Sequence, residues 1–417
     1  MHQFRYMVLL CALLSFGMLQ AEFIQTQAEE TPPLIDGQFT REVISSRNFF
    51  TARERFNNRN DLSEFSRYLI LAHFATFSNQ LDDAERYLQM SKKSWQEQDG
   101  PDDFLLTSSL VEYRLLERQE KFKQLLESEQ KFPKGMFLPA RKSWFEVVSK
   151  ADEVFPSVSS LQHPVANLVD DDERVGIEVN FGDKTTQMII DTGAAPTVLY
   201  TNDNDPVSLI RTGTRLPLGR ASGQGLAEVA ILNEMDIAGN VFINTPIYLP
   251  DQDNNSRRNA NSRGSVGFLG FRELSRMGGL TLEVHGESVS NVIFGTSELG
   301  SRPNGHPNMY IQNLKPYIRT RIGTETYSCL FDTGAGFSVI GSQIFTTHKK
   351  EQSWRKRRNQ RIGTLHFQAG ERDIRVSSVR LFEHVAPDFC VIGLDAVIAA
   401  GGVQLDFVTP HIRFPEP

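Results

Sequence analysis

The sequence predicts a multidomain protein in which an all-α region precedes two related β-rich lobes. From about residue 40 to residue 150 glycine is almost absent and apolar residues recur at three- and four-residue spacing, which is typical of amphipathic helices. After residue 150 apolar residues alternate in short runs between glycine, asparagine and aspartate turns, which is typical of strands. A third observation is that the sequence Asp-Thr-Gly-Ala occurs once in each half of the β-rich part. The predicted lobes span residues 165–296 and 309–415.

The composition is that of a globular chain with room for more than one core. The 417 residues are 40% hydrophobic and 23% charged. Each of two or three domains can therefore bury its own core, and wholesale disorder is not expected. The formal net charge of −7 argues against a global nucleic-acid binder.

Residues 1–21 have the pattern of an export signal. Arg5 gives a short positive segment, Met7 to Leu19 is apolar apart from Ser15 and Gly17, and Ala21 offers a small residue for cleavage. The apolar run is shorter than the roughly 20 residues that a membrane span needs. We therefore expect an exported protein, periplasmic or secreted, without a stable membrane span after signal removal. An uncleaved signal anchor is the alternative.

Residues 35–150 are predicted to form helical hairpins. The apolar pattern of residues 71–74 recurs at residues 110–113. Ala72 and Ala84, with Tyr87 after them, resemble the small-residue contacts between the paired helices of a tetratricopeptide repeat. Two weak copies are fewer than a stable solenoid needs, so an unspecified helical bundle is the alternative. Either arrangement could dock a protein partner or pack on the rest of the chain.

The β-rich part contains one plan twice. In each lobe an apolar strand leads into Asp-Thr-Gly-Ala, at residues 191–194 and again at 332–335. Each lobe also has a later hydrophobic-hydrophobic-glycine element, which ends at Gly270 in the first lobe and at Gly393 in the second. A lone Asp-Thr-Gly occurs by chance in turns, but two triplets with matching downstream glycines indicate a duplicated half-site.

This pattern resembles the aspartic-protease superfamily over roughly residues 170 to 415. The resemblance implies an all-β bilobal acid-protease fold in which Asp191 and Asp332 form one catalytic dyad. The short lobes and the alanine after each triplet are closer to retropepsin-like proteases, whereas two lobes in one chain is the pepsin arrangement. The resemblance also implies that four residues support the active-site loops: Thr192, Gly193, Thr333 and Gly334.

Two carboxyl groups that share one proton can hydrolyse a peptide bond without a metal or a nucleophilic side chain. The charged group acts as general base on a water, and the protonated group polarises the substrate carbonyl. Like charges about 3 Å apart cannot both ionise, so the two pKa values of the pair move apart. A serine or threonine at Ala194 or Ala335 could hydrogen-bond a carboxylate and lower its pKa, but alanine cannot. We therefore expect a pH optimum less acidic than that of pepsin.

The superfamily folds a hairpin flap over the cleft, and the best candidate is the glycine-rich segment 219–225. The corresponding stretch of the second lobe, 349–358, is rich in lysine and arginine and lacks a glycine cluster. We expect a solvated loop there, and hence a single flap, on the first lobe. The predicted substrate-binding residues of the flap are Gly219, Ser222, Gly223 and Gly225.

Removal of the signal leaves Cys329 and Cys390. Two cysteines in an oxidising compartment can pair, and two buried free thiols are the alternative. Cys329 lies three residues before Asp332, and Cys390 lies three residues before Gly393. The resemblance implies that these two strands run side by side beneath the active loop, so a disulfide is our hypothesis.

The sequence therefore predicts an exported aspartic endopeptidase that cuts peptide or protein substrates, with no cofactor, no metal site and no nucleic-acid partner. The histidines show no metal-ligand spacing. The alternative from another class is a catalytically inactive module of the same fold, which binds a peptide or a cell-envelope component and docks a partner through the helical region. A further alternative treats residues 22 to about 150 as a removable pro-segment.

Overall fold

The structure, a computed structural model, has a helical N-terminal unit and a largely β C-terminal unit. The helical unit ends at Lys150 and the β-rich unit begins at Ala151. The predicted export signal at residues 1–21 lies outside the described residues. None of the helices within the described ranges is long and apolar enough to cross a membrane. The described residues are 35–132, 138–151, 153–154, 168–171, 174–200, 207–220, 223–251, 265–295, 307–349, 353–357, 360–383 and 386–415.

The described part of the helical unit contains seven α-helices. The side chains of Asn48 and Ser63 cap two of them by accepting hydrogen bonds from backbone N–H groups of the first turn. The helices are α1 Ile35–Ser45, α2 Phe49–Asn57, α3 Glu64–Phe77, α4 Leu81–Glu97, α5 Asp103–Arg118, α6 Phe122–Glu127 and α7 Pro139–Val148.

Helices α3 and α4 pack against each other, as the helical-hairpin prediction requires. Ala72 of α3 and Ala84 of α4 are fully buried in one apolar cluster. Helices α3 and α5 begin at Glu64 and Asp103. Their starts are as far apart in the sequence as the repeated segments 71–74 and 110–113. The finer assignment to a tetratricopeptide-like repeat stays a prediction.

The β-rich unit is built on two eight-stranded sheets with the same strand order. The first runs β1-β2-β3-β8-β4-β7-β6-β5 and the second runs β11-β12-β13-β18-β14-β17-β16-β15. An additional pairing, β2–β6 or β12–β16, curls each sheet in the same way. The duplication therefore extends to whole halves of the unit. The strands of the first sheet are β1 Leu168–Asp171, β2 Arg174–Phe181, β3 Lys184–Asp191, β4 Val198–Leu199, β5 Leu209–Arg220, β6 Gly223–Ile237, β7 Asn240–Pro250 and β8 Ser265–Gly270. Those of the second are β11 Met309–Ile311, β12 Pro316–Ile322, β13 Glu325–Phe331, β14 Val339–Ile340, β15 Trp354–Arg357, β16 Gln360–Ala369, β17 Arg372–Leu381 and β18 Cys390–Ile392.

A third, four-stranded sheet joins the two halves. Its order is β10-β9-β19-β20, and its central antiparallel pair takes β9 from the first half and β19 from the second. One continuous apolar core runs through both halves. The halves therefore form one folded body. The strands are β9 Gly279–His285, β10 Ser288–Phe294, β19 Gly402–Asp406 and β20 His411–Arg413.

A short helix follows the predicted glycine element in each half. Helix α8, Phe271–Arg276, begins after Gly270, and helix α10, Leu394–Ala400, begins after Gly393. A Cβ added at Gly270 would lie 2.4 Å from the carbonyl carbon of Pro196, and one at Gly393 would lie 2.6 Å from that of Phe337. Both glycines are therefore needed for the strand to pass close to the loop after the triplet. A further helix, α9, spans Ser342–His348.

The β-rich unit begins earlier than the predicted bound of residue 165. Glu153 accepts hydrogen bonds from Arg272 and Arg276, and Val154 forms a β-bridge with Ile243. The partners in these contacts lie far apart in the sequence, so local patterns could not reveal them.

The basic stretch of the second half is not simply a loop. Trp354–Arg357 forms strand β15, which pairs with β16 at the edge of the second sheet. Arg355 and Lys356 are exposed there, and charged side chains are a common protection of an edge strand. The expectation of a solvated loop was therefore wrong for these residues.

Candidate active site

The two triplets meet where the halves meet. Asp191 is the last residue of β3, and Asp332 follows β13 directly. The two residues are 5% and 1% exposed, respectively. Each carboxyl group perturbs the pKa of the other, which indicates that the two lie close together. The structure therefore brings together two acids from separate halves of the β-rich unit.

The threonines of the triplets join the two loops by four hydrogen bonds. The N–H of Thr192 donates to Oγ1 of Thr333, and the N–H of Thr333 donates to Oγ1 of Thr192, each at 3.1 Å. The Thr192 hydroxyl donates to the carbonyl of Phe331 at 2.7 Å, and the Thr333 hydroxyl donates to that of Ile190 at 2.9 Å. Both threonines are fully buried. The network therefore fixes the position of one aspartate relative to the other.

Backbone N–H groups orient each carboxyl group. Ala194 donates to Oδ1 of Asp191 at 2.9 Å. Gly334 and Ala335 donate to Oδ1 of Asp332 at 3.0 Å and 3.2 Å. The alanine side chains add no donor, as the sequence predicts, so these oxygens depend on the backbone.

Each triplet glycine packs against the carboxyl group of the opposite half. A Cβ at Gly193 would lie 2.4 Å from Cγ of Asp332, and a Cβ at Gly334 would lie 2.4 Å from Cγ of Asp191. Real Cβ atoms essentially never approach so closely. Glycine is therefore required at both positions if each carboxyl group is to pack against the opposite triplet.

The electrostatics of the pair favour a single negative charge. Burial raises the pKa of Asp191, and the hydrogen bonds from Asp332 and the Ala194 N–H oppose that rise. The pKa of Asp332 is raised well above its usual value, first by burial and then by the neighbouring charge of Asp191. Two adjacent carboxyl groups do not both ionise readily, so the titration belongs to the pair.

A second hydrogen-bonded layer lies behind each triplet, and the sequence analysis missed it. Thr197 Oγ1 donates to Glu273 at 2.6 Å, and Ser338 Oγ donates to Asp395 at 2.7 Å. Each hydroxyl also accepts the N–H of the downstream glycine of its own half, at 3.0 Å and 3.1 Å. Burial raises the pKa of Glu273 and raises that of Asp395 to about 6. The signal was present, since both hydroxyl residues follow their aspartate by six positions.

The predicted flap segment lies in a long hairpin. Strands β5 and β6 pair as far as Gly219 with Gln224 and Arg220 with Gly223. Gly219, Gly223 and Gly225 thus belong to strands, whereas Ser222 lies outside the described residues. In the second half the counterpart hairpin is short, because β15 has 4 residues against 12 in β5. Both halves thus have a hairpin here and the two differ in length, so a single flap on the first lobe stays a prediction.

Cys329 and Cys390 form a disulfide with an S–S distance of 2.06 Å. They lie on the parallel neighbours β13 and β18, where Leu330 pairs with Val391. Both cysteines are buried. The bond therefore links the strand that leads to Asp332 with the strand that leads to the second glycine element.

Two basic residues near the pair also escaped the sequence analysis. Arg174 precedes Asp191 by the same number of positions as Lys315 precedes Asp332. Both act electrostatically on Asp191, and Lys315 also acts on Asp332.

In the described part of the chain no group of three or more His, Cys, Asp and Glu side chains is arranged to hold a metal ion. Comparison of the sequence with family models and with curated proteins finds no match.

Proposed function

We propose that this chain is an aspartic endopeptidase, in which residues 165–415 have the bilobal fold of the aspartic-protease superfamily. The observation that carries the proposal is the pair of buried carboxyl groups, one from each half, whose triplets are joined by reciprocal hydrogen bonds. Two carboxyl groups that share a proton are suited to the hydrolysis of a peptide bond by an activated water.

Each aspartate has a distinct role in the proposed reaction. Asp191, as the charged partner, removes a proton from a water that attacks the peptide carbonyl. Asp332, as the protonated partner, donates a hydrogen bond to the carbonyl oxygen as it becomes an oxyanion. The proton taken from water is then delivered to the leaving amine, which breaks the C–N bond and restores the singly charged pair.

Rigid support of the pair favours catalysis over simple binding. The threonine network and the backbone donors fix both carboxyl groups before substrate arrives, so little reorganisation accompanies the reaction. The hairpin of β5 and β6 is our candidate for the flap that excludes water from the bound peptide.

The proposal includes two further parts that rest on the sequence. The export signal would deliver the protein to the periplasm or the cell exterior, without a membrane span after cleavage. The helical unit, with its tetratricopeptide-like hairpins, would dock a protein partner or a protein substrate.

The experiment that tests the function is cleavage of a peptide library by the wild type and by Asp191→Asn and Asp332→Asn across pH 3 to 8. Asp373→Asn is the matched control, because Asp373 is an exposed aspartate on β17 of the second half. We expect the wild type and the control to cut the same bonds, and each dyad variant to lose at least about 10²-fold in rate. Binding of peptides without any product, unchanged in the two dyad variants, would instead support the inactive binding module.

A further inference from the structure

Glu153 forms ion pairs with two buried arginines of helix α8. Nη2 of Arg272 donates to both carboxyl oxygens of Glu153 at 2.9 Å, and Nη1 of Arg276 donates to one of them at 2.7 Å. The side chains of Glu153, Arg272 and Arg276 are 8%, 1% and 9% exposed. These charges depend on one another, because a buried charge that loses its partner is strongly destabilised.

Helix α8 in turn holds the loop that follows the first triplet. The N–H of Phe271 donates to the carbonyl of Ala194 at 2.7 Å, and the next N–H of the helix donates to the carbonyl of Ala195 at 3.0 Å. The N–H of Ala194 donates to Oδ1 of Asp191 at 2.9 Å. The ion pairs of α8 are therefore linked, through the helix and the loop, to the carboxyl group of Asp191.

Arg272 also lies close to a second acid, which belongs to the same helix. Its Nη1 lies 3.7 Å from Oε1 of Glu273, whose Oε2 accepts the hydroxyl of Thr197 at 2.6 Å. That hydroxyl also accepts the N–H of Gly270 at 3.0 Å. While Glu153 holds the guanidinium group, Glu273 stays on the hydroxyl. Without Glu153 the guanidinium group would turn to Glu273 and draw it away from Thr197.

The second half supports its loop with a carboxylate where the first half has Arg272. Ser338 donates both its N–H and its hydroxyl to Asp395, at 2.9 Å and 2.7 Å. Asp395 follows Gly393 by two positions, as Arg272 follows Gly270. Helix α10 contains no basic residue. The ion pairs of α8 therefore have no counterpart on α10, and their role belongs to the first half.

The backbone next to Glu153 is fixed at the start of the β-rich unit. Glu153 follows Lys150, the last residue of the helical unit, by three positions. The next residue, Val154, exchanges two hydrogen bonds with Ile243 of β7, at 3.1 Å and 2.7 Å. The carboxyl group of Glu153 therefore reaches α8 from a defined position.

We propose that Glu153 is a positioning residue for the Asp191 loop, and that it acts through Arg272 and helix α8. This inference rests on the proposed function, since the loop carries one of the two catalytic carboxyl groups. It makes the catalytic rate depend on the segment by which the chain enters the β-rich unit. Displacement of that segment would release Arg272 and loosen the loop, so the activity is open to regulation at this point.

The first test is cleavage of a short peptide by the full-length variants Glu153→Gln, Arg272→Met and the double variant. We expect Glu153→Gln to lower kcat about 10- to 100-fold, because the loop is displaced. KM should change less than about twofold, because the residue acts on the loop and not on the substrate. The double variant should regain most of the lost rate, because methionine cannot draw Glu273 from its hydroxyl partner.

Glu117→Gln is the matched control for the loss of a buried ion pair. Glu117 accepts a hydrogen bond from Nε of Arg141 at 2.8 Å, and their side chains are 13% and 10% exposed, but both residues lie in the helical unit. We expect this variant to lose stability and to keep its wild-type kcat on the short peptide.

Three results of the first test would overturn the inference. One is a wild-type kcat in Glu153→Gln, and another is an equal fall of kcat in Glu117→Gln. The third is a loss in the double variant equal to the product of the two single losses, since Glu153 would then not act through Arg272. If Glu153→Gln does not fold, Glu153→Asp, which shortens the side chain by one methylene, takes its place in the same comparisons.

The second test does not depend on cleavage. Amide hydrogen exchange, followed by mass spectrometry, compares residues 192–199 with the matching residues 333–340 of the second half. In Glu153→Gln we expect exchange of 192–199 to become at least about tenfold faster relative to 333–340 than it is in the wild type. A general loss of stability would accelerate exchange in both loops alike, so the difference between them reports the position of the Asp191 loop.

The exchange measurement separates the inference from the proposed function. If the wild type cuts no peptide while exchange of 192–199 rises in Glu153→Gln, the proposed function fails and the role of Glu153 stands. If the wild type cuts peptides and the two loops of Glu153→Gln keep their wild-type ratio of exchange rates, the inference fails and the proposed function stands.

Discussion

Replacement of Thr192 by valine is the sharpest probe of the contact between the two halves. Valine keeps the branched shape of threonine but removes its hydroxyl, which donates to the Phe331 carbonyl at 2.7 Å and accepts the Thr333 N–H at 3.1 Å. Both partners come from the other half and are fully buried, so water cannot replace the lost hydroxyl.

The expected loss of stability follows from these two hydrogen bonds. A buried group that is left without a partner costs about 1–3 kcal/mol. We therefore expect Thr192→Val to lower the free energy of unfolding of the β-rich unit by about 2–6 kcal/mol. Thr192→Ser keeps the hydroxyl and loses one methyl group, so we expect it to cost about 1 kcal/mol.

Urea unfolding followed by the fluorescence of Trp354 measures this loss. Trp354 lies in the β-rich unit and packs edge-on against Phe345 at 5.0 Å. Replacement of Trp95 and Trp144 by phenylalanine removes the tryptophan signals of the helical unit. Because the two halves share one apolar core, we expect one cooperative transition.

Two results would refute the reasoning about Thr192. One is a stability of Thr192→Val within about 0.5 kcal/mol of the wild type, which is the range of an ordinary surface change. The other is an equal loss in Thr192→Ser and Thr192→Val, because the hydroxyl would then not be the cause. We also expect the rate of peptide cleavage by the valine variant to fall about 10²-fold, because a misplacement of catalytic groups by about 1 Å can cost that much in rate.

Three further predictions concern the same unit. Gly193→Ala should abolish cleavage, because the added Cβ would meet the Asp332 carboxyl group. Gly37→Ala in the helical unit is the control: its added Cβ would have no contact shorter than 3.6 Å, so its activity should be unchanged. Equal cleavage rates for the two variants would contradict the geometry. The pKa of Asp332 is raised in the folded state. The contribution of this carboxyl group to the free energy of unfolding is therefore fully present below about pH 4 and is lost as pH rises towards the raised pKa. Asp332→Asn should therefore gain stability relative to the wild type as pH rises from about 4 to 7, and a thermal-unfolding difference that does not depend on pH would count against this. The Cys329–Cys390 disulfide joins residues that are 61 positions apart, and its reduction should lower the free energy of unfolding by about 2–4 kcal/mol. A count of two free thiols in the denatured, non-reduced protein would exclude the bond.

Duplication is what made the site predictable from sequence. Local patterns say little about contacts between distant positions, such as those of Thr192 with Thr333. Two matching triplets with matching downstream glycines, however, predict the same loop in each half. The duplicated pattern singled out Asp191 and Asp332, and its resemblance to the aspartic-protease superfamily implied that they meet and which residues support them.

The rest of the site depends on contacts that no local pattern carries. The strand at Trp354–Arg357 lacks the alternation of a half-buried strand, and pairing with β16 overrides its weak propensity. Glu153 lies among turn-forming residues, and its partner Arg272 is 119 positions away. Lys315 was overlooked because a single basic residue in a turn is ordinarily a solvated one.

The measurement that tests the central claim most directly is kcat/KM of the wild type, Asp191→Asn, Asp332→Asn and the double variant on one peptide. If the two halves form one site, each single variant loses at least about 10²-fold and the double variant loses little more, because the second substitution acts on a pair that is already disabled. Wild-type kcat/KM in either single variant would contradict the account. So would a loss in the double variant equal to the product of the two single losses, since the aspartates would then act independently.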